Sequence, residues 1–250
     1  MKVFFDTVGC RLNQAEIEHL AGEFRAAGHE IVDSPHGADL VIINTCAVTA
    51  AAASDSRQKS RQAYRAGAAE ILLTGCLATL EPDLEGLLPG VSRVISNQDK
   101  SRIAALVLGT EEEFDLEPLA RMPLPGARKR TRAFIKVQDG CNNLCTFCVT
   151  RIARGQAVST PKSDVLKDIQ SAIEGGAEEV VLSGVHLGSW GTDMESGETL
   201  TDLVQFILSS TDIKRLRLSS TEPWDLDKRF FALWQDPRMC RHLHLPLQSG

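Results

Sequence analysis

A chain of 250 residues is long enough to bury one large core or two of ordinary size. Its composition, 43% hydrophobic and 24% charged, is that of a globular protein in water, and its apolar runs are too short to cross a bilayer. A net charge of −6 argues against nucleic-acid binding by bulk charge but leaves room for a local basic face. Met1 to Asp6 lacks the pattern of a signal peptide, so no membrane partner and a cytoplasmic location are expected. There, seven cysteines, an odd number, point to metal rather than to a disulfide framework.

Strand and helix alternate from the start. Lys2 to Thr7 reads as a strand. Asn13 to Ala27 reads as a helix, with Ile17, Leu20, Ala21 and Phe24 on one face, Asn13 and Glu16 as a capping box, and Gly28 as its stop. Leu40 to Asn44 is an apolar strand of the kind buried inside parallel sheets. Ala50 to Ala66 is helical, Glu70 to Thr74 and Arg93 to Ser96 are strands, and Asp99 to Leu108 is a helix. Such alternation predicts a doubly wound parallel α/β domain over residues 1–108, with its ligands beyond the carboxyl ends of the strands.

Residues 109–130 read as a linker, acidic from Glu111 to Glu117, then rich in proline, then basic at Arg128, Lys129 and Arg130. From residue 131 the alternation resumes. Ala133 to Gln138, Glu179 to Ser183, Arg215 to Ser219 and His242 to Leu245 read as strands. Ser163 to Glu174, capped by Ser163, and the segment carrying Leu200, Leu203, Val204 and Ile207 read as helices. This is the start of a β/α barrel, whose chemistry belongs at the strand C-termini. Four strands do not close a barrel, so residues 131–250 are expected to be an incomplete domain.

Six of the seven cysteines form two triplets. Cys10, Cys46 and Cys76 each follow a predicted strand, about one βαβ unit apart, so the fold should gather them on one sheet edge. Cys141, Cys145 and Cys148 form a C-x3-C-x2-C set in the loop after a strand. Three thiolates suit a soft metal centre, above all a [4Fe–4S] cluster with one iron left open. Structural zinc takes four ligands, and no fourth Cys or His lies close after Cys148.

The stretch from Cys141 to Cys148 resembles the signature of the radical S-adenosylmethionine enzymes, in which the open iron chelates the cofactor and electron transfer yields a 5′-deoxyadenosyl radical. Val8-Gly9-Cys10-Arg11-Leu12-Asn13-Gln14, Asn44-Thr45-Cys46-Ala47-Val48-Thr49 and Leu73-Thr74-Gly75-Cys76 narrow the resemblance to the methylthiotransferases. Ala153-Arg154-Gly155, Leu182-Ser183-Gly184-Val185, Leu218-Ser219-Ser220-Thr221-Glu222-Pro223 and the stretch from His244 to Gly250 extend it over nearly the whole chain. One departure is Arg151-Ile152, where the family often has Pro-Tyr.

The resemblance implies two [4Fe–4S] clusters, one on Cys10, Cys46 and Cys76 and one on Cys141, Cys145 and Cys148. It also implies S-adenosyl-L-methionine contacts at Ser183, Gly184, Ser220, Glu222 and Gln248. The residues after Cys46 are most similar to the branch that methylthiolates C2 of N6-threonylcarbamoyladenosine at position 37 of tRNA. Related branches act on isopentenyladenosine in tRNA or on a ribosomal-protein aspartate. Family members continue through the rest of the barrel and a small RNA-binding domain. The implied partners are a tRNA anticodon loop, whose bases unstack readily, and an electron donor such as flavodoxin or ferredoxin. Rivals of another kind are an iron–sulfur electron carrier and an inactive truncated fragment.

Cys240 reads as an ordinary thiol, and His186 as either an active-site or a packing residue. Arg57, Lys59, Arg61 and Arg65 read equally as a solvated face or as phosphate contacts. Trp190, Trp224 and Trp234 read as packing residues.

Overall fold

The computed structural model describes residues 1–109, 132–226 and 228–247. The expected linker, apart from Gly109, lies outside the described residues, as does Gln248. In chain order the first elements are β1 (Lys2–Thr7), α1 (Arg11–Ala26), β2 (Glu30–Val32), β3 (Leu40–Thr45), α2 (Ala50–Arg65), β4 (Glu70–Gly75), α3 (Cys76–Leu80), α4 (Leu84–Leu87), β5 (Val91–Val94) and α5 (Ile103–Leu108). They are followed by β6 (Arg132–Lys136), β7 (Gln138–Asp139), α6 (Thr150–Arg154), β8 (Val158–Ser159), α7 (Lys162–Glu174), β9 (Glu179–Ser183), α8 (Leu200–Ser210), β10 (Arg215–Leu218) and α9 (Lys228–Ala232). Contacts divide the chain into two units, Met1–Lys129 with Leu144–Gly155, and Arg130–Asn143 with Gln156–Gly250.

The first unit holds a parallel sheet in the order β2-β1-β3-β4-β5. The order reverses between β1 and β3, which makes the carboxyl ends of those strands the natural ligand crevice. Central β3, Leu-Val-Ile-Ile-Asn-Thr, is buried along its whole length because helices cover both faces. Alternate side chains serve the two faces. Val3, Phe5, Leu40, Ile42 and Leu72 pack with Ile17, Leu20 and Phe24 of α1 and Ile103 of α5. Val41, Ile43, Ile71 and Leu73 pack on the opposite face with Ala63 of α2, Leu77 of α3 and Leu84 of α4. Each such buried Leu or Ile contributes about 1.5–3 kcal/mol. The doubly wound expectation is met.

Local departures have local causes. Helix α1 starts at Arg11 with Cys10 as its N-cap, and no side chain caps it. Asn13 and Glu16 turn inward instead of forming the expected box, because buried partners claim them. Helix α2 is capped by Thr49, whose hydroxyl accepts from the Ala52 N–H at 3.1 Å. The helix expected from Asp99 splits into a 3-10 turn at Lys100–Arg102 and then α5.

The second unit holds parallel strands in the order β10-β9-β6, with β7 and β8 as a short antiparallel ribbon. Ile135, Val180, Leu182, Leu216 and Leu218 pack against Val165 and Ile169 of α7 and Leu203, Val204 and Ile207 of α8. Strand, helix and parallel strand repeat as in an incomplete β/α barrel. The expected strand at His242 to Leu245 is replaced by a single bridge from Ser220 to His244. Pro246 has no N–H with which to extend such a ladder. Ser163 does not cap α7, whose N-cap is Pro161. Helix α8 carries a capping box, Thr199 with Asp202, that the pattern did not announce.

Candidate metal centres and cofactor site

Strands β1, β3 and β4 are neighbours in the sheet, and a cysteine follows the carboxyl end of each. Two turns need glycine. Gly9 has φ +105°, and a Cβ there would stand 2.7 Å from Cys46 Sγ. Gly75 has φ +98°, and a Cβ would collide with the Thr45 carbonyl oxygen. Only glycine lets the backbone bring its cysteine in so close. Cys46 and Cys76 are buried, and Cys10 is exposed.

Burial pushes the Cys46 thiol up from its ordinary value, and the charges of Cys76 and Cys10 push the same way. A hydrogen bond from the Val48 backbone and the positive charge of Arg154 act against them. A positive metal centre bound there would favour the thiolate form that burial of Cys46 opposes. Cys10 Sγ lies 3.6 Å from Asn13 Oδ1, and Asn97 Nδ2 donates to Cys76 Sγ across 3.8 Å.

Beneath the triplet lies a buried charge network. Glu16 accepts from Lys100 Nζ at 2.7 Å, from Arg154 Nη1 at 2.8 Å and from Asn44 Nδ2 at 3.1 Å. Arg154 Nη2 also donates to Asn13 Oδ1 at 2.7 Å. Asn13 Nδ2 donates to the carbonyls of Val8 and Thr45, at the ends of β1 and β3. One carboxylate thus answers two buried cations, and its neighbours fix the loops that carry Cys10 and Cys46. Asn13, Glu16, Asn97, Lys100 and Arg154 escaped the sequence reading as site residues. Two polar residues on the apolar face of α1, at the spacing of Ile17 and Leu20, were the available signal.

The C-x3-C-x2-C stretch divides between the units, with Cys141 in the second and Cys145 and Cys148 in the first. Cys145 and Cys148 are exposed and joined by a turn in which the Cys148 N–H donates to the Cys145 carbonyl at 3.1 Å. Helix α6 follows and is held by Arg154 and by Asn97, whose Nδ2 donates to the Ala153 carbonyl at 2.8 Å. Ile152, at the departure from Pro-Tyr, is exposed.

In the second unit, Gln138 sets the approach to Cys141. Its Nε2 donates to the Gly140 carbonyl at 2.8 Å, and its Oε1 accepts from the His186 N–H at 2.8 Å. Cys141 Sγ accepts from the Asn143 N–H at 3.4 Å and lies 4.0 Å from His186 Nδ1. His186 Nε2 is 2.8 Å from Asp225 Oδ2, and that hydrogen bond raises the imidazole above its usual range. Trp224, read as a packing residue, is largely exposed and packs edge-on to His186, whereas Trp190 is fully buried.

Of the residues expected to contact S-adenosylmethionine, Ser183, Gly184, Ser220 and Glu222 lie at or just after the ends of β9 and β10. Ser183 closes β9, and its buried hydroxyl has no hydrogen-bond partner among the described residues, as is also true of Ser219 and Thr221 after β10. A Cβ on Gly184 would meet Gln138 Oε1 at 2.9 Å. Ser220 Oγ is 2.6 Å from His244 Nδ1, and Glu222 is half-buried. Buried hydroxyls without partners fit a polar ligand supplied from outside. Among the described residues no three His, Cys, Asp or Glu converge as ligands of a single metal ion. Arg57 and Lys59 pair with Glu81 and Asp6, so both have protein partners. No helix among the described residues is long and apolar enough to cross a membrane.

Residues 2–95 match a family described as "Uncharacterized protein family UPF0004". Over 99% of its length the chain is 34% identical to threonylcarbamoyladenosine tRNA methylthiotransferase MtaB of Bacillus subtilis, covering 58% of that protein. It is also 34% identical to the MtaB protein of Aquifex aeolicus, over its whole length and 63% of the relative. A tRNA-2-methylthio-N(6)-dimethylallyladenosine synthase of Pseudothermotoga lettingae is 29% identical over the whole chain and 60% of its own length. The chain thus spans about six-tenths of the curated relatives it matches. Among solved structures, the radical S-adenosylmethionine methyltransferase TsrM of Kitasatospora setae superposes with a TM-score of 0.65, covering 98% of this chain and 59% of that one. At 16% identity that likeness speaks for the fold alone.

Proposed function

We propose that the chain is a radical S-adenosylmethionine methylthiotransferase, as its likeness to MtaB proteins supports, and that it transfers a methylthio group to C2 of N6-threonylcarbamoyladenosine at position 37 of tRNA. The observation that carries this reading is the gathering of Cys10, Cys46 and Cys76 at three adjacent strand ends in a chain related throughout to MtaB proteins. Cys10, Cys46 and Cys76 would hold one [4Fe–4S] cluster, and Cys141, Cys145 and Cys148 a second. When bound, the clusters and S-adenosylmethionine would supply the electron, the methyl group and the radical chemistry that an unreactive aromatic C–H bond requires.

The chain's own residues bind and orient. Glu16, Asn13 and Arg154 hold the loops of Cys10 and Cys46 in register, and Asn97 holds the side of Cys76. Gly184 leaves room beside Gln138, while Ser183, Ser220, Glu222 and Gln248 are the proposed polar contacts for S-adenosylmethionine. Asp225 fixes the His186 ring beside Cys141. The proposed partners are a tRNA anticodon loop and a flavodoxin- or ferredoxin-like electron donor in the cytoplasm.

The dimethylallyladenosine synthase relatives favour a second substrate, isopentenyladenosine in tRNA. Mass spectrometry of tRNA nucleosides and ribosomal proteins from a strain lacking the gene separates the substrates. Loss of methylthiolated threonylcarbamoyladenosine alone is the expected result. Loss of the isopentenyl derivative or of the modified ribosomal aspartate instead overturns the substrate assignment. Unchanged nucleosides and proteins contradict the transferase reading.

A further inference from the structure

Asn97 stands where no ligand role is assigned, yet its amide group joins two parts of the proposed machinery. Its backbone N–H donates to Thr79 Oγ1 at 2.8 Å, and that hydroxyl donates to the Gly75 carbonyl at 2.9 Å, next to Cys76. The residue is therefore tied to the turn that presents the cysteine. One Nδ2 group reaches both the Ala153 carbonyl, at 2.8 Å, and Cys76 Sγ, at 3.8 Å, within the reach of a sulfur acceptor. An amide nitrogen carries two protons, so both bonds are available at once. A flipped amide would set oxygen against oxygen at Ala153, so the orientation follows from the neighbours. Asn97 Oδ1 is buried without a hydrogen-bond partner among the described residues, which places the value of this side chain in its two donors.

We propose that Asn97 tunes and positions the first cluster site: its N–H···S bond to Cys76 raises the reduction potential there, while its second proton holds the end of the segment bearing Cys145 and Cys148. The proposal rests on the reading of Cys10, Cys46 and Cys76 as cluster ligands. Reduction adds negative charge, and a donor aimed at a ligating sulfur favours the more negative state. Asparagine suits both tasks because aspartate would present oxygen to a thiolate and a carbonyl.

The test is an EPR-monitored potentiometric titration of the reconstituted chain with Cys145→Ala, which leaves the first triplet as the intact site. Asn97→Ala in that background should shift the midpoint potential to more negative values, and Asn97→Asp should shift it further at nearly unchanged side-chain shape. Iron content should match that of the Asn97 protein in both. Equal midpoints in all three proteins overturn the proposal, as do equal shifts for Ala and Asp, the signature of a merely structural role. Loss of iron from Asn97→Ala would make Asn97 a residue of site assembly and also overturn it. Absence of iron from the Cys145→Ala protein itself would instead bring down the ligand reading on which the inference stands.

Discussion

Cys10, Cys46 and Cys76 reach their places through three separate strand-to-helix turns, whereas Cys141, Cys145 and Cys148 come from one irregular stretch. In the first set the sheet supplies the geometry: β1, β3 and β4 are hydrogen-bonded neighbours, and glycines with positive φ bring the chain in close. Two of those cysteines are buried. In the second set two cysteines are exposed, and their neighbourhood is fixed by side chains such as Asn97, Arg154 and Gln138. A site carried by a sheet depends on the core beneath it. A site carried by a loop depends on a few hydrogen bonds at its ends.

The sharpest way to break this contrast is to remove Glu16. Glu16→Ala leaves Lys100 and Arg154 as buried cations without their carboxylate, and losses of about 3–5 kcal/mol are typical of such a break. Urea unfolding of the first unit should show that drop, and α6 should lose protection from hydrogen exchange with it. Gly75→Ala comes next, at about 2–3 kcal/mol, from backbone strain and the clash with the Thr45 carbonyl. It should also lower iron uptake at the first triplet.

Changes in the second unit sharpen the contrast by sparing the first. Glu179 is buried at the start of β9 and faces Arg132, Arg215 and Arg217. Burial pushes its carboxyl up, but hydrogen bonds from Arg217 and Arg132 prevail and hold it below the usual carboxylate range. Its stabilisation is therefore present above the unfolded pKa, about 4.3, and is lost as pH falls through the lower folded value. Glu179→Gln should cost about 1–2 kcal/mol at neutral pH, since two of the arginines are partly solvated, and should flatten the acid limb of thermal stability against pH. Thr199→Ala removes the α8 cap and should cost about 1 kcal/mol by denaturant titration. Neither should alter iron binding at Cys10, Cys46 and Cys76.

Period and punctuation were enough to find β1, β3, β4 and the cysteine at the end of each, because a fully buried parallel strand is a short apolar run followed by a turn. The edge strand β2 went unread, since three residues, one exposed and two half-buried, carry no period. Asn13 and Glu16 looked like a cap because local spacing cannot reveal partners such as Lys100 and Arg154, which lie far along the chain. The division of the Cys141 to Cys148 stretch between units had no local signal either. It follows from the burial of Arg154 against Glu16.

Anaerobic reconstitution with iron and sulfide counts, comparing the unaltered chain with Cys46→Ala and Cys145→Ala, bears most directly on the central claim. Two independent cluster sites predict that each substitution removes about four irons and spares the rest. Loss of all iron from either substitution, or no loss from Cys46→Ala, would contradict it.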